Sequence, residues 1–268
     1  MLELRNVDVT VNGGSGDVPL LSEVSLTVAE GEALGIVGES GSGKSMTLRT
    51  VLRMLPRGAR TTGSVAYRGE DVLGYGRDQL RRFRAAEVSM ISQNPQAALN
   101  PVHPIRTYMV EGIRAARPGT GGAEALALSR RLLDQVGIDD PDRCLRAYPH
   151  QLSGGMLQRV VISAAVARGS RLLLADEPTT ALDVTTQSEV MAILEDCRAE
   201  AGMAMVFVTH DLDLAAATCD RVAVMSRGRI VETGPAAQVL ASPEHPYTQM
   251  LVRSKPSLDR RAGSEEVA

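Results

Sequence analysis

Gly38-Glu39-Ser40-Gly41-Ser42-Gly43-Lys44-Ser45 is the stretch on which the reading of this chain turns. It has the form GxxxxGK[ST]. It stands between a short continuous apolar run, Ala33 to Val37, and a helix-like segment, Met46 to Leu55, that Pro56 stops. Strand, glycine-rich loop and helix are the order in which a phosphate loop works. Glycines let the backbone turn its N–H groups inward from Gly38 through Met46, and the helix N-terminus adds a favourable dipole for an anion. Lys44 then reaches the β- and γ-phosphates of a nucleotide, and the Ser45 hydroxyl meets Mg²⁺. Of the 29 basic residues only Lys44 and Lys255 are lysines, so a lysine here does not follow from abundance.

A second phosphate-linked element is Arg171 to Pro178, RLLLADEP, an apolar strand that ends in two carboxylates. Adjacent acids after a strand are by themselves an ordinary solvated turn. Paired with a phosphate loop they acquire roles. Asp176 resembles the Walker B aspartate that holds Mg²⁺ through water. Glu177 then faces the γ-phosphate side as general base for the attacking water.

Outward from these motifs, the opening third reads as strands. Leu2, Leu4, Val7, Val9 and then Val24, Leu26, Val28 approximate a period of two, with a Gly-rich turn from Asn12 to Gly16 between them. From Ile105 to about Val136 the pattern is helical, broken by PGTGG at Pro118 to Gly122, and another helix runs from Gly155 to about Arg168. Strand and helix then alternate: Arg171–Ala175, Val184–Ala199, Met203–Val208, Leu212–Ala217, Arg221–Met225. That alternation implies a parallel sheet covered by helices. The expected fold is α/β: a mostly parallel P-loop core, an antiparallel β subdomain at the N-terminus, and a helical insert at about residues 95–160. One domain is expected over residues 1–256, followed by a polar tail at 257–268.

Composition narrows the function. The 268 residues are 44% apolar, enough for a good-sized core, and the charges nearly cancel to −3, which argues against a basic nucleic-acid surface. No apolar run approaches the ~18 residues that cross a bilayer, and the charged start MLELRNVDV does not read as a secretory signal. Cys144, Cys197 and Cys219 are widely spaced without CxxC pairing, which reads as reduced, buried thiols in the cytoplasm.

Leu152 to Arg159, LSGGMLQR, resembles the signature of ATP-binding cassette (ABC) ATPases, with Met156 where the usual form has glutamine. It lies upstream of RLLLADEP by the spacing those proteins use. Ser153 with the amides of Gly154 and Gly155 forms a second anion site at a helix start. Further stretches fall in the family's order. Gln93 resembles the Q-loop glutamine that contacts Mg²⁺ and water. Thr180-Ala181-Leu182-Asp183 resembles the D-loop at the dimer interface, and His210 resembles the switch histidine at the γ-phosphate. Ser92–Pro101 (SQNPQAALNP) and Ser242–Leu251 (SPEHPYTQML) resemble segments of the oligopeptide, dipeptide and nickel importer branch. The resemblance covers about residues 2–256.

The resemblance implies an ATPase using ATP and Mg²⁺, peripheral on the cytoplasmic face of the membrane. Its implied partners are a second ATPase subunit, as a heterodimer or alternatively a homodimer, two transmembrane permease subunits and, indirectly, an extracytoplasmic solute-binding protein. It implies no nucleic acid. Peptides are the first expectation for the cargo and nickel or a metal chelate the second. A soluble ABC ATPase acting on nucleic acid is the rival class, set aside because the chain has one cassette, no heptads and an acidic balance. A small-molecule kinase leaves the SGG motif and His210 unexplained. Two departures stand out. Many relatives stack adenine on an aromatic before the phosphate loop, whereas this chain has none before Tyr67 and places Val11 or Asn12 in that neighbourhood. A C-terminal cysteine cluster, present in some relatives, is missing, so no iron–sulfur centre is expected.

Overall fold

A computed structural model describes residues 1–13, 16–179 and 184–254. Two sheets organise it. The first is antiparallel, in the order β2-β1-β4-β5: β1 (Leu2–Asn12), β2 (Asp17–Val28), β4 (Arg60–Tyr67) and the short β5 (Glu70–Asp71). The second contains β3 (Ala33–Val37), β6 (Val88–Ile91), β7 (Leu172–Asp176), β8 (Ala204–Thr209), β9 (Arg221–Ser226) and β10 (Arg229–Pro235), in the order β10-β9-β3-β8-β7-β6. All its pairings are parallel except β9 with β10. The expected α/β architecture is the observed one.

The approximate alternation of β1 has a local cause. Leu2, Leu4, Val7 and Val9 are all buried, and the change of phase between Leu4 and Val7 is a register shift with Asn6 at φ 45°. Opposite it Gly63 has φ 83°, and a Cβ there would lie 2.3 Å from the Asn6 carbonyl oxygen, so this crossing needs a glycine.

The continuous apolar strands of the second sheet are buried on both faces, and alternate residues enter different cores. Leu172, Leu174, Val206, Val208, Leu34 and Ile36 pack with the antiparallel sheet. Leu173, Ala175, Met205 and Phe207 pack with the helical layer. Five helices lie between β6 and β7: α3 (Pro95–Ala98), α4 (Ile105–Ala116), α5 (Gly122–Gln135), α6 (Pro141–Arg146) and α7 (Gly154–Ala167). The helical segment thus continues past residue 160, because α7 carries Leu157, Val160, Val161 and Ala164 down onto the sheet. Beyond β7, α8 (Val184–Ala201) and α9 (Leu212–Thr218) complete the alternation, and α10 (Ala236–Ala241) and α11 (Pro246–Arg253) follow β10.

Helix α1 (Lys44–Val51) begins two residues earlier than expected and ends four residues sooner. It stops before Pro56 because Arg53 turns to φ 51° and the Met54 N–H closes onto the Arg49 carbonyl at 2.8 Å. A non-glycine residue makes this C-cap, so composition did not mark it. Between β5 and β6 the remaining helix, α2 (Arg77–Arg82), is exposed. No helix among the described residues is long and apolar enough to cross a membrane. All three cysteines are buried and free. Burial raises their thiol pKa values, that of Cys144 to about 11 and that of Cys219 to about 12.

Candidate nucleotide site

The phosphate loop springs from the C-terminal end of β3, where parallel neighbours β8 and β9 leave strand ends open on the same side. Gly38 starts the turn at φ 154°, and a Cβ there would sit 2.1 Å from the Met225 carbonyl oxygen. The loop can therefore lie against β9 only with hydrogen at that position. Gly43 closes the turn at φ 107° as N-cap of α1. Lys44 is buried, and its Nζ donates to the carbonyl oxygens of Gly38 at 2.8 Å and Glu39 at 2.9 Å. Burial pushes its pKa down, opposed by the charges of Glu177 and Asp176.

Two acids meet this loop from the end of β7. Ser45 Oγ donates to Asp176 Oδ1 at 2.7 Å. Asp176 is 4% exposed, and burial raises its pKa against the pull of the Ser45 hydrogen bond and of Arg49. Glu177 stands one residue further, in the left-handed region at φ 44°, its N–H bonded to the Val208 carbonyl at 3.0 Å. Such strained backbone is concentrated at functional sites. The Glu177 carboxylate accepts from Gln93 Nε2 at 2.9 Å, lies 3.5 Å from His210 Nδ1 and 4.0 Å from Lys44 Nζ. His210 occupies the turn between β8 and α9. Its neighbour Asp211 caps α9 by accepting from Asp213 and Leu214 N–H groups, which anchors the turn while the imidazole stays exposed.

These groups surround a cavity of about 870 Å³. Ser40, Gly41, Gly43, Lys44, Ser45 and Met46 line it from the loop, and Gln93, Glu177 and His210 from the three strand ends. Gly38 lies beneath the loop, contributing its carbonyl to Lys44, and Asp176 reaches the cavity through Ser45. Glu39 and Ser42 line a separate crevice on the far side, against α11. Ser42 Oγ is buried there without a hydrogen-bond partner.

Five residues that the sequence did not single out also line the cavity: Pro19 and Leu20 of β2, Arg49 of α1, and Arg227 and Gly228 of the β9–β10 turn. Val11 and Asn12, the positions expected to neighbour the base, are not part of the lining; Pro19, opposite Thr10 in the β1–β2 pairing, and Leu20 are. The hairpin register could not be read through the Gly-rich turn. Pro19 and Leu20 are aliphatic, as Val11 is.

The signature is elsewhere. Ser153 is the N-cap of α7, its Oγ accepting from the Met156 N–H at 3.3 Å. With Gly154 and Gly155 it borders a second cavity of about 490 Å³ that includes Thr186 and Glu189 and shares no residue with the first. A Cβ on Gly155 would come within 2.9 Å of Thr186 Cγ2, so α7 packs closely on α8 only through that glycine. Asp183 and the rest of the D-loop stretch lie outside the described residues.

A divalent cation fits the Ser45–Asp176 pair. Hydroxyl and carboxylate oxygens are the hard donors that Mg²⁺ takes, and a buried aspartate whose ionisation is opposed by desolvation gains from a nearby cation. Among the described residues no group of three or more His, Cys, Asp or Glu side chains could hold a metal alone. A cation at Ser45 would therefore share its ligands with a bound phosphate.

Comparison with known proteins decides the family. Residues 21–180 match the ABC transporter family. The chain belongs to it. Residues 231–267 of the cassette also match the oligopeptide/dipeptide transporter C-terminal region. A putative peptide import ATP-binding protein of Brucella abortus is 43% identical over 97% of this cassette and 78% of its own length. The peptidoglycan transport ATP-binding protein YejF of Agrobacterium fabrum is 42% identical over 96% of the cassette, which spans 47% of that protein. Among solved structures, the dimeric post-hydrolysis state of the ATP-binding cassette MJ0796 bound to ADP and Pi has a TM-score of 0.78 at 28% identity, covering 88% of this chain and 99% of its own. CbiO1 of Clostridium perfringens, part of an ABC transporter complex, has a TM-score of 0.75 at 25% identity over 90% of both chains. The cassette is an ATPase of this family.

Proposed function

We propose that this cassette is the ATP-hydrolysing subunit of a peptide importer, working in a pair and driving permease subunits in the membrane. One observation carries the mechanism: Lys44, Ser45, Asp176, Glu177, Gln93 and His210 converge on one cavity, while Ser153, Gly154 and Gly155 border another that has no residue in common with it. A site assembled from the cavity of one cassette and the signature of the next uses both.

In this reading the N–H groups of the loop and Lys44 hold the β- and γ-phosphates of ATP. Ser45 and Asp176, with Gln93, would hold Mg²⁺, which when bound supplies positive charge against the phosphate oxygens. Glu177, poised by the amide of Gln93, takes the proton of the attacking water. His210, 3.5 Å from the same carboxylate, keeps that acid and the γ-phosphate side in register. Ser153 and the start of α7 present N–H groups to the phosphate of the facing cassette. Contact between cassettes through Asp183 belongs to the same proposal. The facing subunit is taken to be a related but different chain, with two copies of this one as the alternative, on the cytoplasmic face of the membrane.

Peptide as cargo rests on the C-terminal match and on the names of relatives, not on a residue of this site. Reconstitution with its permease and binding-protein partners in vesicles tests it: ATP-dependent accumulation of labelled oligopeptides is expected, and uptake of nickel without peptide would replace it. Ser153→Arg tests the shared site. It should block hydrolysis while the same subunit still binds ATP; loss of its own ATP binding, with circular dichroism unchanged, would refute the arrangement.

A further inference from the structure

Helix α11 reaches the phosphate loop. The Glu39 N–H donates to Tyr247 Oη at 3.2 Å. The carbonyl of that same peptide unit, on Gly38, accepts from Lys44 Nζ at 2.8 Å. Lys44 and Tyr247 thus grip one peptide plane from its two ends. Gly38 makes the grip consequential, because rotation about the backbone of a glycine is cheap and would swing this plane. With the N–H unheld, the carbonyl that anchors the ammonium could turn away from it.

Tyr247 is itself firmly placed. Its ring packs on the cluster of Val37, Leu212, Val222 and Val224, and Val37 is the residue immediately before Gly38. Its own N–H donates to His245 Nδ1 at 3.1 Å. The Glu232 carboxylate on β10 accepts from the N–H groups of Glu244 at 2.9 Å and His245 at 3.0 Å. The chain from Glu244 to Tyr247 is therefore a rigid strut from β10 to the loop.

We propose that Tyr247 is a positioning residue of the nucleotide site: by holding the Gly38–Glu39 peptide it sets where Lys44 presents its charge to a nucleoside triphosphate. The proposal rests on Lys44 being the phosphate-binding cation. It gives the C-terminal segment a role in ATP affinity rather than in folding alone.

The test uses the full chain in three forms. Lys44→Ala should lose ATP binding; retained binding would overturn the reading of Lys44, and the proposal with it. Tyr247→Phe keeps the ring and removes only the acceptor. It should weaken ATP binding by roughly two- to tenfold, the range of one hydrogen bond, with the melting temperature unchanged. In the assembled transporter KM for ATP should rise more than kcat falls. Hydrogen exchange at the Glu39 amide should be slow in the parent and faster in Tyr247→Phe. Parent-like ATP affinity in Tyr247→Phe, when Lys44→Ala has lost binding, would overturn the role of Tyr247. So would an unprotected Glu39 amide in the parent, a measurement that needs no variant. A lowered melting temperature with unchanged KM would show a structural contact only and overturn the proposal equally.

Discussion

Glu177→Gln is the substitution that isolates proton transfer from shape. The amide keeps a carbonyl oxygen, so the 2.9 Å hydrogen bond from Gln93 Nε2 survives, and the side chain keeps its volume between Lys44 and His210. What disappears is the proton acceptor and one negative charge. General-base catalysis contributes about 10²–10⁴-fold, so the barrier to hydrolysis should rise by roughly 2.7–5.5 kcal/mol. Binding should move the other way. The carboxylate faces a cavity that must receive a polyphosphate, and removing its charge takes away repulsion, so ATP should bind at least as tightly as to the parent. The assay is phosphate release by the assembled transporter under single-turnover conditions, with ATP affinity measured in parallel on the cassette. A loss of turnover smaller than about tenfold would refute the assignment of Glu177, because a general base contributes more than that.

Three further outcomes follow from the same geometry. Asp176 has its pKa raised by burial, so its protonated form is favoured in the fold: the stability this one group contributes is fully present below the ordinary value of 3.8 and is lost as pH rises through the raised one. Asp176→Asn should therefore raise the melting temperature of the nucleotide-free cassette at pH 7, a gain that fades toward pH 3.8, while Mg²⁺-dependent hydrolysis collapses; a lower melting temperature at pH 7 would contradict the burial argument. Gly38→Ala places a Cβ 2.1 Å from a backbone oxygen of β9 and should cost about 3 kcal/mol or more of stability by denaturant titration, with ATP binding lost; parent-like stability would show that the loop does not lie on β9. With aliphatic Pro19 and Leu20 in place of an aromatic, ATP and GTP should bind within about tenfold of each other, and Pro19→Tyr or Leu20→Tyr should favour ATP by adding a stacking surface. A hundredfold preference of the parent for ATP would refute this.

What was legible in the sequence was whatever the chain does locally. The phosphate loop is a turn, Gly38 and Gly43 are forced by contacts with β9 and β2, Gly41 by its φ of 78°, and its lysine and serine are neighbours, so eight consecutive letters carry the geometry. The strand ends bearing Gln93, Asp176, Glu177 and His210 were legible for a related reason. Each follows an apolar run buried on both faces, and parallel pairing brings those ends to one side. What could not be read were contacts set by register or by distant packing. That Pro19 and Leu20, rather than Val11 or Asn12, line the cavity could not be read because a hairpin with a Gly-rich turn leaves its pairing open. The left-handed Arg53 ended α1 early without a glycine to announce it. Tyr247 and Glu39 are 208 residues apart in sequence, and no local pattern marks a tyrosine that meets a backbone amide across that span.

The cysteines have a practical consequence for every experiment above. Thiolate is the reactive form, and with pKa values of about 11 for Cys144 and about 12 for Cys219 a vanishing fraction of either is ionised near neutrality. Cys197 is buried and shifted the same way. The native chain is thus already silent toward maleimides and spin labels. A cysteine introduced at Ser153 or at Arg227 would be its one addressable thiol, without first stripping three core residues whose removal would open cavities. In the proposed pair, the distance between the signature of one cassette and the nucleotide pocket of the next could therefore be followed through the ATP cycle with the three native cysteines left in place.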